Sequence, residues 1–258
     1  FFGKSCEGET PRFSCETRVD VPGGAGNVAS NIRTLGGYPL LFSRVGTDEA
    51  SVRYMRKLKE RRISTQYIQA CTDGGVSVKI RYCEEIPVFH ADCDFINDST
   101  ERDTRRIIQD IQRISSQCHA VIISDYAKGF CNGALYRKLN SYCRRKTIPL
   151  FVDSKSRYPP VFAYVYKPNR WEFEKRLGYR IRHKKELVAE AEIFQNKYQI
   201  QNIIVTMDKQ GSFWIDPERI VRWYQPYTNA VVDSCGAGDT FLSTLAVATG
   251  KGIPMEKA

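Results

Sequence analysis

Long apolar runs are absent. No stretch of this 258-residue chain approaches the roughly 20 apolar residues that a helix needs to cross a bilayer, so a membrane is not an expected partner. Residues 1–20 carry charges and no apolar signal segment, which gives no reason to expect export. No CxxC pair occurs. The nine cysteines are odd in number and lack the paired spacings that zinc sites and small disulfide frameworks need. Reduced thiols in the cytoplasm are the expectation. Internal repeats and low-complexity segments are missing too. What is present suffices for folding: 42% of residues are hydrophobic, enough for a sizeable core. The length suits one α/β domain of ordinary size.

Acidic residues are in deficit, and the net charge is +10. Such an excess suits nucleic acid, or small anions such as nucleotides and sugar phosphates. The basic residues form only short clusters, at Arg61-Arg62, Arg105-Arg106, Arg144-Arg145-Lys146 and His183-Lys184-Lys185. Three of these fall on expected helices, where a solvated face explains them. Nucleic-acid binding would need a continuous basic stripe with aromatic platforms, so nucleic acid is not an expected partner.

The pattern predicts a strand at 40–45 ending in Gly46 and a helix at 49–60. The alternation of VSVKIRY at 76–82 predicts a half-exposed strand, paired with 86–91 across Glu84-Glu85. Short apolar strands then alternate with helices. Strands are expected at 120–124, 149–153, 161–166 and 203–207, and helices at 100–117, 132–146, 170–177, 184–198 and 237–249. This alternation indicates an α/β fold, with a parallel sheet covered on both faces. Residues 72–95 interrupt it as a small β flap. Within the flap Val76, Val78 and Ile80 share one face, which wants burial. A homodimer through the flap is therefore expected.

Two segments carry chemistry. Asp233-Ser234-Cys235-Gly236-Ala237-Gly238-Asp239 follows a short strand at 231–232 and opens a helix. Its glycines let the backbone approach a ligand, and the unpaired N–H groups of a helix start suit a phosphate. Asp239 would sit beside that anion site, able to take a proton from an attacking hydroxyl. The plainer alternative is a glycine turn with an acidic helix start. Earlier, Pro22-Gly23-Gly24-Ala25-Gly26-Asn27 makes a turn before a helix. An Asn side chain offers a donor and an acceptor to a polyol, or simply caps the helix.

Together these segments resemble the two signatures of the ribokinase (PfkB) family, a glycine-rich stretch ending in Asn and a DTxGAGD-like motif. Within that family the chain looks like the heptose 7-phosphate kinase half of bacterial ADP-heptose synthase. Ser124-Asp125-Tyr126-Ala127-Lys128-Gly129 resembles its SDYxKG, and Asp153-Ser154-Lys155 its DPK. Lys167-Pro168-Asn169, with Glu172 and Glu174, resembles its TPNxxEFE. Thr206-Met207-Asp208-Lys209-Gln210-Gly211 resembles its TRSEQG, and Val78-Lys79-Ile80-Arg81 its TKxR.

The resemblance implies a three-layer α/β/α sandwich over residues 1–258, truncated at both ends relative to the family. It implies Asp239 as general base and Gly236, Ala237 and Gly238 as the anion hole. Gly23, Gly24, Asn27, Lys79, Arg81, Asp125 and Lys128 would meet the sugar phosphate. Lys155, Asn169, Thr206 and Gly211 would lie on the ATP side. Asn169 and Glu172 would hold Mg²⁺ through water. Lys155 is alternatively a solvated loop lysine, and Asp125 and Asp153 strand-ending caps. The implied reaction is ATP-dependent phosphorylation of D-glycero-D-manno-heptose 7-phosphate at O1 to the 1,7-bisphosphate. The alternatives are another sugar or nucleoside kinase of the family, or a non-catalytic sugar- or nucleotide-binding relative. His90 stands where the heptose enzyme usually has Arg.

Overall fold

The computed structural model describes residues 2–4, 11–13, 16–72, 74–83, 87–96, 98–226 and 235–258. The strand expected at 231–232, Asp233, Ser234 and the Glu84-Glu85 turn lie outside them.

Strands β1 (Phe2–Lys4) and β2 (Pro11–Phe13) form an antiparallel pair. Helix α1 (Ala25–Thr34) follows the glycine turn. Strand β3 (Ser43–Val45), helix α2 (Glu49–Glu60) and strand β4 (Ile68–Ala70) come next, with β3 parallel to β4. Helix α2 starts where predicted because Asp48 accepts the Ser51 amide, satisfying an end N–H. The flap is an antiparallel hairpin of β5 (Val78–Cys83) and β6 (Pro87–Cys93).

The main body alternates. Helix α3 (Glu101–Ile114) begins with a Thr100–Asp103 capping box. Then come β7 (Val121–Asp125), α4 (Gly133–Lys146), β8 (Leu150–Ser154), β9 (Val165–Tyr166), α5 (Arg170–Leu177), α6 (Lys184–Tyr198) and β10 (Asn202–Thr206). Strands β11 (Ser212–Ile215) and β12 (Val221–Tyr224) precede helix α7 (Ala237–Gly250). The six-stranded sheet runs β12-β11-β10-β9-β8-β7.

Four of its strands are parallel, as the alternation predicts, but β11 and β12 add an antiparallel edge that the pattern did not reveal. The strand expected at 161–166 shortens to two residues. Phe162 takes a positive φ of 58° after Pro159-Pro160, and its amide is spent on the Tyr198 carbonyl.

The period of two sorts the core into two layers. Val152, Tyr166, Ile203, Val205, Phe213 and Ile215 face α3–α6, where Ile107, Leu135, Phe173 and Leu187 pack. Phe151, Val165, Ile204 and Trp214 face the other way, against Leu242, Leu245 and Ala246 of α7. Helix α1 packs beside α7, and Ser243 donates to the Val28 carbonyl at 3.2 Å. The carboxyl ends of β7–β10 therefore meet the start of α7 at one edge of the molecule, the usual place for a ligand in such sheets.

Candidate active site

Gly236 precedes α7 with φ at 81°, and a Cβ there would come within 2.8 Å of Asn27 Nδ2. Only glycine suits both the conformation and the approach. Asp239 lies in the first turn, 6% exposed. Its Oδ2 accepts from Asn27 Nδ2 at 2.8 Å and its Oδ1 from the Tyr126 hydroxyl at 3.2 Å. Burial pushes the Asp239 pKa up, and the negative Asp153 adds to this. The bonds from Asn27 and Tyr126 and the positive Lys167 pull the other way. The net direction is up, toward a better proton acceptor.

Tyr126 joins several parts of the site. Its ring lies 3.5 Å from where a Cβ on Gly24 would stand, and the Lys155 ammonium is 4.4 Å from its centroid. Burial raises its pKa, as does the neighbouring charge of Asp239, so the phenol stays a donor. Asp125 holds up this turn. Its Oδ1 accepts the Ala127 amide at 2.8 Å. Its Oδ2 accepts the Tyr136 hydroxyl at 3.0 Å and the Ser154 hydroxyl at 3.2 Å. The carboxylate is thus occupied internally, in the manner of a buttress.

On the sheet side Lys167 Nζ is 2.7 Å from Asp153 Oδ2, in a pair that is almost wholly buried on the lysine side. Asn169 and Glu172 form the capping box of α5: Asn169 Oδ1 accepts the Glu172 amide at 2.8 Å, and Glu172 Oε2 accepts the Asn169 amide at 2.9 Å. Glu172 Oε1 faces Lys155 at 3.9 Å. Burial raises the Glu172 pKa, opposed first by the Asn169 amide. Thr206 bridges to Asn169 across the strand ends. Gly211 is fixed by packing: φ is 81°, and a Cβ would fall 2.0 Å from the Tyr224 carbonyl oxygen. Among the described residues no three His, Cys, Asp or Glu side chains gather to hold a metal directly.

A cleft of about 1580 Å³ unites most of the expected residues: Gly23, Gly24, Asn27, Lys79, Arg81, Asp125, Lys128, Lys155, Gly236 and Asp239 all line it. Asn169, Glu172, Thr206, Gly211, Ala237 and Gly238 lie beyond that lining. In the flap Lys79 pairs with Asp92 at 2.5 Å, and Arg81 stands opposite His90. Lys128 reaches Asp94 just beyond the flap. Sequence reasoning overlooked Tyr126 and Lys167 as site residues. Tyr126 was marked by its place in the SDYxKG-like segment at the end of β7, and Lys167 by replacing the Thr of the TPN pattern.

A family model described as pfkB family carbohydrate kinase matches residues 4–258. The bifunctional protein HldE of Blochmanniella floridana is 28% identical over 258 residues, covering 98% of this chain and 52% of its own length. HldE of Yersinia enterocolitica is 28% identical over 98% of this chain and 53% of its own. The chain spans about half the length of these curated relatives. Phosphofructokinase-2 from Escherichia coli in complex with fructose-6-phosphate superposes with a TM-score of 0.77 at 18% identity, over 99% of this chain and 84% of that one. Arabidopsis thaliana ribokinase complexed with ribose and ATP gives 0.72 at 16% identity, over 95% and 80%. These two share the ribokinase-like fold. With the family model covering nearly every residue, and the glycine turn and Asp239 brought together across the fold, the chain belongs to the pfkB family of carbohydrate kinases.

Proposed function

We propose that this chain transfers the γ-phosphoryl group of ATP to a hydroxyl of a sugar phosphate, with Asp239 as the base. The observation that carries this reading is the buried Asp239 carboxylate. Two neutral donors aim it, and it stands at a helix start in a cleft also lined by Lys79, Arg81, Lys128 and Lys155. The raised pKa brings the base closer to the pH at which it must work. Backbone N–H groups of Gly236, Ala237 and Gly238 would offset charge on the phosphoryl group. The flap lysine and arginine would meet the substrate's own phosphate.

Mg²⁺ supplies charge neutralisation between the β- and γ-phosphates when bound. The donor set fits a metal held through water. Glu172 Oε1 remains outside the capping box, and Asn169 Oδ1, which accepts one bond within it, has a second lone pair, so both oxygens can accept from a metal-bound water. Oxygen-lined, water-rich sites suit this ion.

As the substrate we favour D-glycero-D-manno-heptose 7-phosphate, phosphorylated at O1. Support comes from the SDYAKG and TMDKQG segments and from the similarity to HldE proteins across the chain. His90, opposite Arg81, favours the second reading, a different phosphorylated sugar. A homodimer through the flap is part of the first reading, supported by exposed Ile80 and Phe89; sedimentation as a monomer at all concentrations would remove it. The cytoplasm, where ATP and reduced thiols coexist, is the place we assign.

Coupled ADP release tests the reading, using this heptose phosphate, fructose 6-phosphate, ribose and adenosine, with and without Mg²⁺. The heptose phosphate should give the highest kcat/KM, and only with Mg²⁺. Higher kcat/KM on fructose 6-phosphate would move the assignment to the second reading, and turnover of none would end both.

A further inference from the structure

Helix α5 meets the loop after β8 at two points on one face. Residues 172 and 176 stand about one turn apart, so their side chains leave the same side of the helix. Glu172 Oε1 lies 3.9 Å from the Lys155 ammonium. Arg176 reaches the main chain on either side of that lysine. Its Nη2 donates to the Ser156 carbonyl at 2.6 Å and to the Ser154 carbonyl at 3.4 Å, and its Nη1 to the Tyr158 carbonyl at 3.1 Å. Its guanidinium carbon is 5.6 Å from the centroid of the wholly buried Tyr166 ring, which backs it. These acceptors are main-chain carbonyls of three residues, so the guanidinium fixes the course of the loop. The Lys155 amide is held separately, by the Asp125 carbonyl at 2.8 Å. No role given above uses Arg176.

We propose that Arg176 is a positioning residue for Lys155, bracing the backbone on both sides of it so that its ammonium stands between the Tyr126 ring and Glu172 to receive the phosphates of ATP. The proposal rests on the kinase reading. A lysine carries a point charge on a flexible four-carbon stem. The Lys155 side chain is 45% exposed, and its ammonium is 3.9 Å from Glu172 and 4.4 Å from the Tyr126 centroid, so neither contact locks it. The backbone from which it hangs therefore decides where it points. An arginine presents five N–H donors in one planar fork and can meet three carbonyls at once, which a lysine ammonium at 176 could not match in geometry. Lys79 hangs from β5, as does Arg81, and Lys128 from the turn after β7. The sugar side of the cleft is thus braced by other elements, and losing Arg176 acts on the nucleotide side.

The test is a double-mutant cycle of Arg176→Met and Lys155→Ala. Methionine keeps an adaptable stem against Tyr166 and removes the donors. Arg176→Lys keeps both stem and charge and runs through the same cycle, so the test survives if methionine prevents folding. Calorimetry reads Mg·ATP affinity, and coupled ADP release reads kcat and both KM values with the heptose 7-phosphate. Lys155→Ala should weaken Mg·ATP roughly tenfold, the lower worth of a hydrogen bond to a charged group. Arg176→Met should reproduce most of that loss. It should raise KM for ATP more than it lowers kcat, the pattern of lost ground-state binding, and leave KM for the sugar phosphate nearly unchanged. Arg176→Lys should show a smaller loss of the same kind. The double variant should bind Mg·ATP no worse than Lys155→Ala, because the two residues act as one unit. An Arg176→Met loss of the same size with Lys155 already removed would make Arg176 a prop for the fold alone. Unchanged Mg·ATP affinity in Arg176→Met or in Lys155→Ala would overturn the proposal as well, as would equal shifts of the two KM values. If wild type binds Mg·ATP but turns over no sugar phosphate, the kinase reading falls separately, and the calorimetric cycle still decides for or against Arg176.

Discussion

At the start of α7 the Asp239 carboxylate is buried and accepts hydrogen bonds from two neutral donors. In the flap, Lys79 and Asp92 meet as an ion pair with both side chains nearly half exposed, at 45% and 48%. Both groups line or border the same cleft, yet they are held in opposite ways. A charge taken out of water must be fixed by its neighbours, and its pKa moves as a result. A charge left in water holds its partner weakly and can exchange it. On the proposed reading, the base end of the cleft would be set before substrate arrives, whereas the flap end would be free to trade a carboxylate for a phosphate.

The comparison breaks most sharply at the base. Asp239→Asn keeps the size of the side chain and removes the proton acceptor. Turnover should fall roughly 10²–10⁴-fold, the usual worth of general-base assistance, while binding of ATP and sugar changes little. Wild-type turnover in this variant would exclude Asp239 as the base. The same variant reports on stability. Burial raises the Asp239 pKa in the folded state, so the folded protein holds the proton more tightly than the unfolded chain. Relative to Asp239→Asn, wild type should therefore lose stability as pH rises from the ordinary carboxylate range through the raised folded pKa, and level off above it. Thermal melts of both proteins across that range give the sign.

A smaller effect is expected at Tyr126. Its hydroxyl donates to Asp239 at 3.2 Å and stabilises the ionised form. A hydrogen bond to a charged group is worth about 1.5–3 kcal/mol, and at this length the low end applies, so Tyr126→Phe should lower turnover roughly tenfold on the acid side of the profile, where more of Asp239 is then protonated, and little above it. Removing the donor raises the Asp239 pKa further, so the acid limb of kcat/KM should move to higher pH. An acid limb that stays in place would show that Tyr126 shapes the turn without tuning the base.

These two residues mark how far the sequence could be read. Helices α2, α5 and α6 fall on the predicted bounds, because their caps and apolar stripes are local. Asp239 was legible because a glycine turn and a helix start announce an anion site within a few residues. Its partners were not. Asn27 is 212 positions away and Tyr126 is 113, so only the packing of α1 on α7 and the end of β7 bring them together. For Asp125, read from the sequence as a substrate contact, no local signal shows that Tyr136 and Ser154 donate hydrogen bonds to its carboxylate. Strands β11 and β12 escaped for a similar reason: the close approach of Gly211 to the Tyr224 carbonyl is a long-range fact.

The smallest expected effect lies in the flap, at Asp92→Asn. The hydrogen bond from Lys79 holds the Asp92 carboxylate below its usual pKa range, so it is ionised across neutral pH. If Lys79 must leave Asp92 to meet the substrate phosphate, removing that negative charge frees the lysine and removes a like charge from the phosphate's path. KM for the sugar phosphate should then fall modestly, and the difference from wild type should shrink as salt screens the pair. Thermal stability should not move measurably, since exposed pairs contribute little to folding. Lys79→Ala supplies the opposite sign, a raised KM with kcat retained once substrate saturates. Were KM unchanged in both variants, the flap charges would be surface decoration, and the contrast between a preset base and an exchangeable clamp would lose its second half.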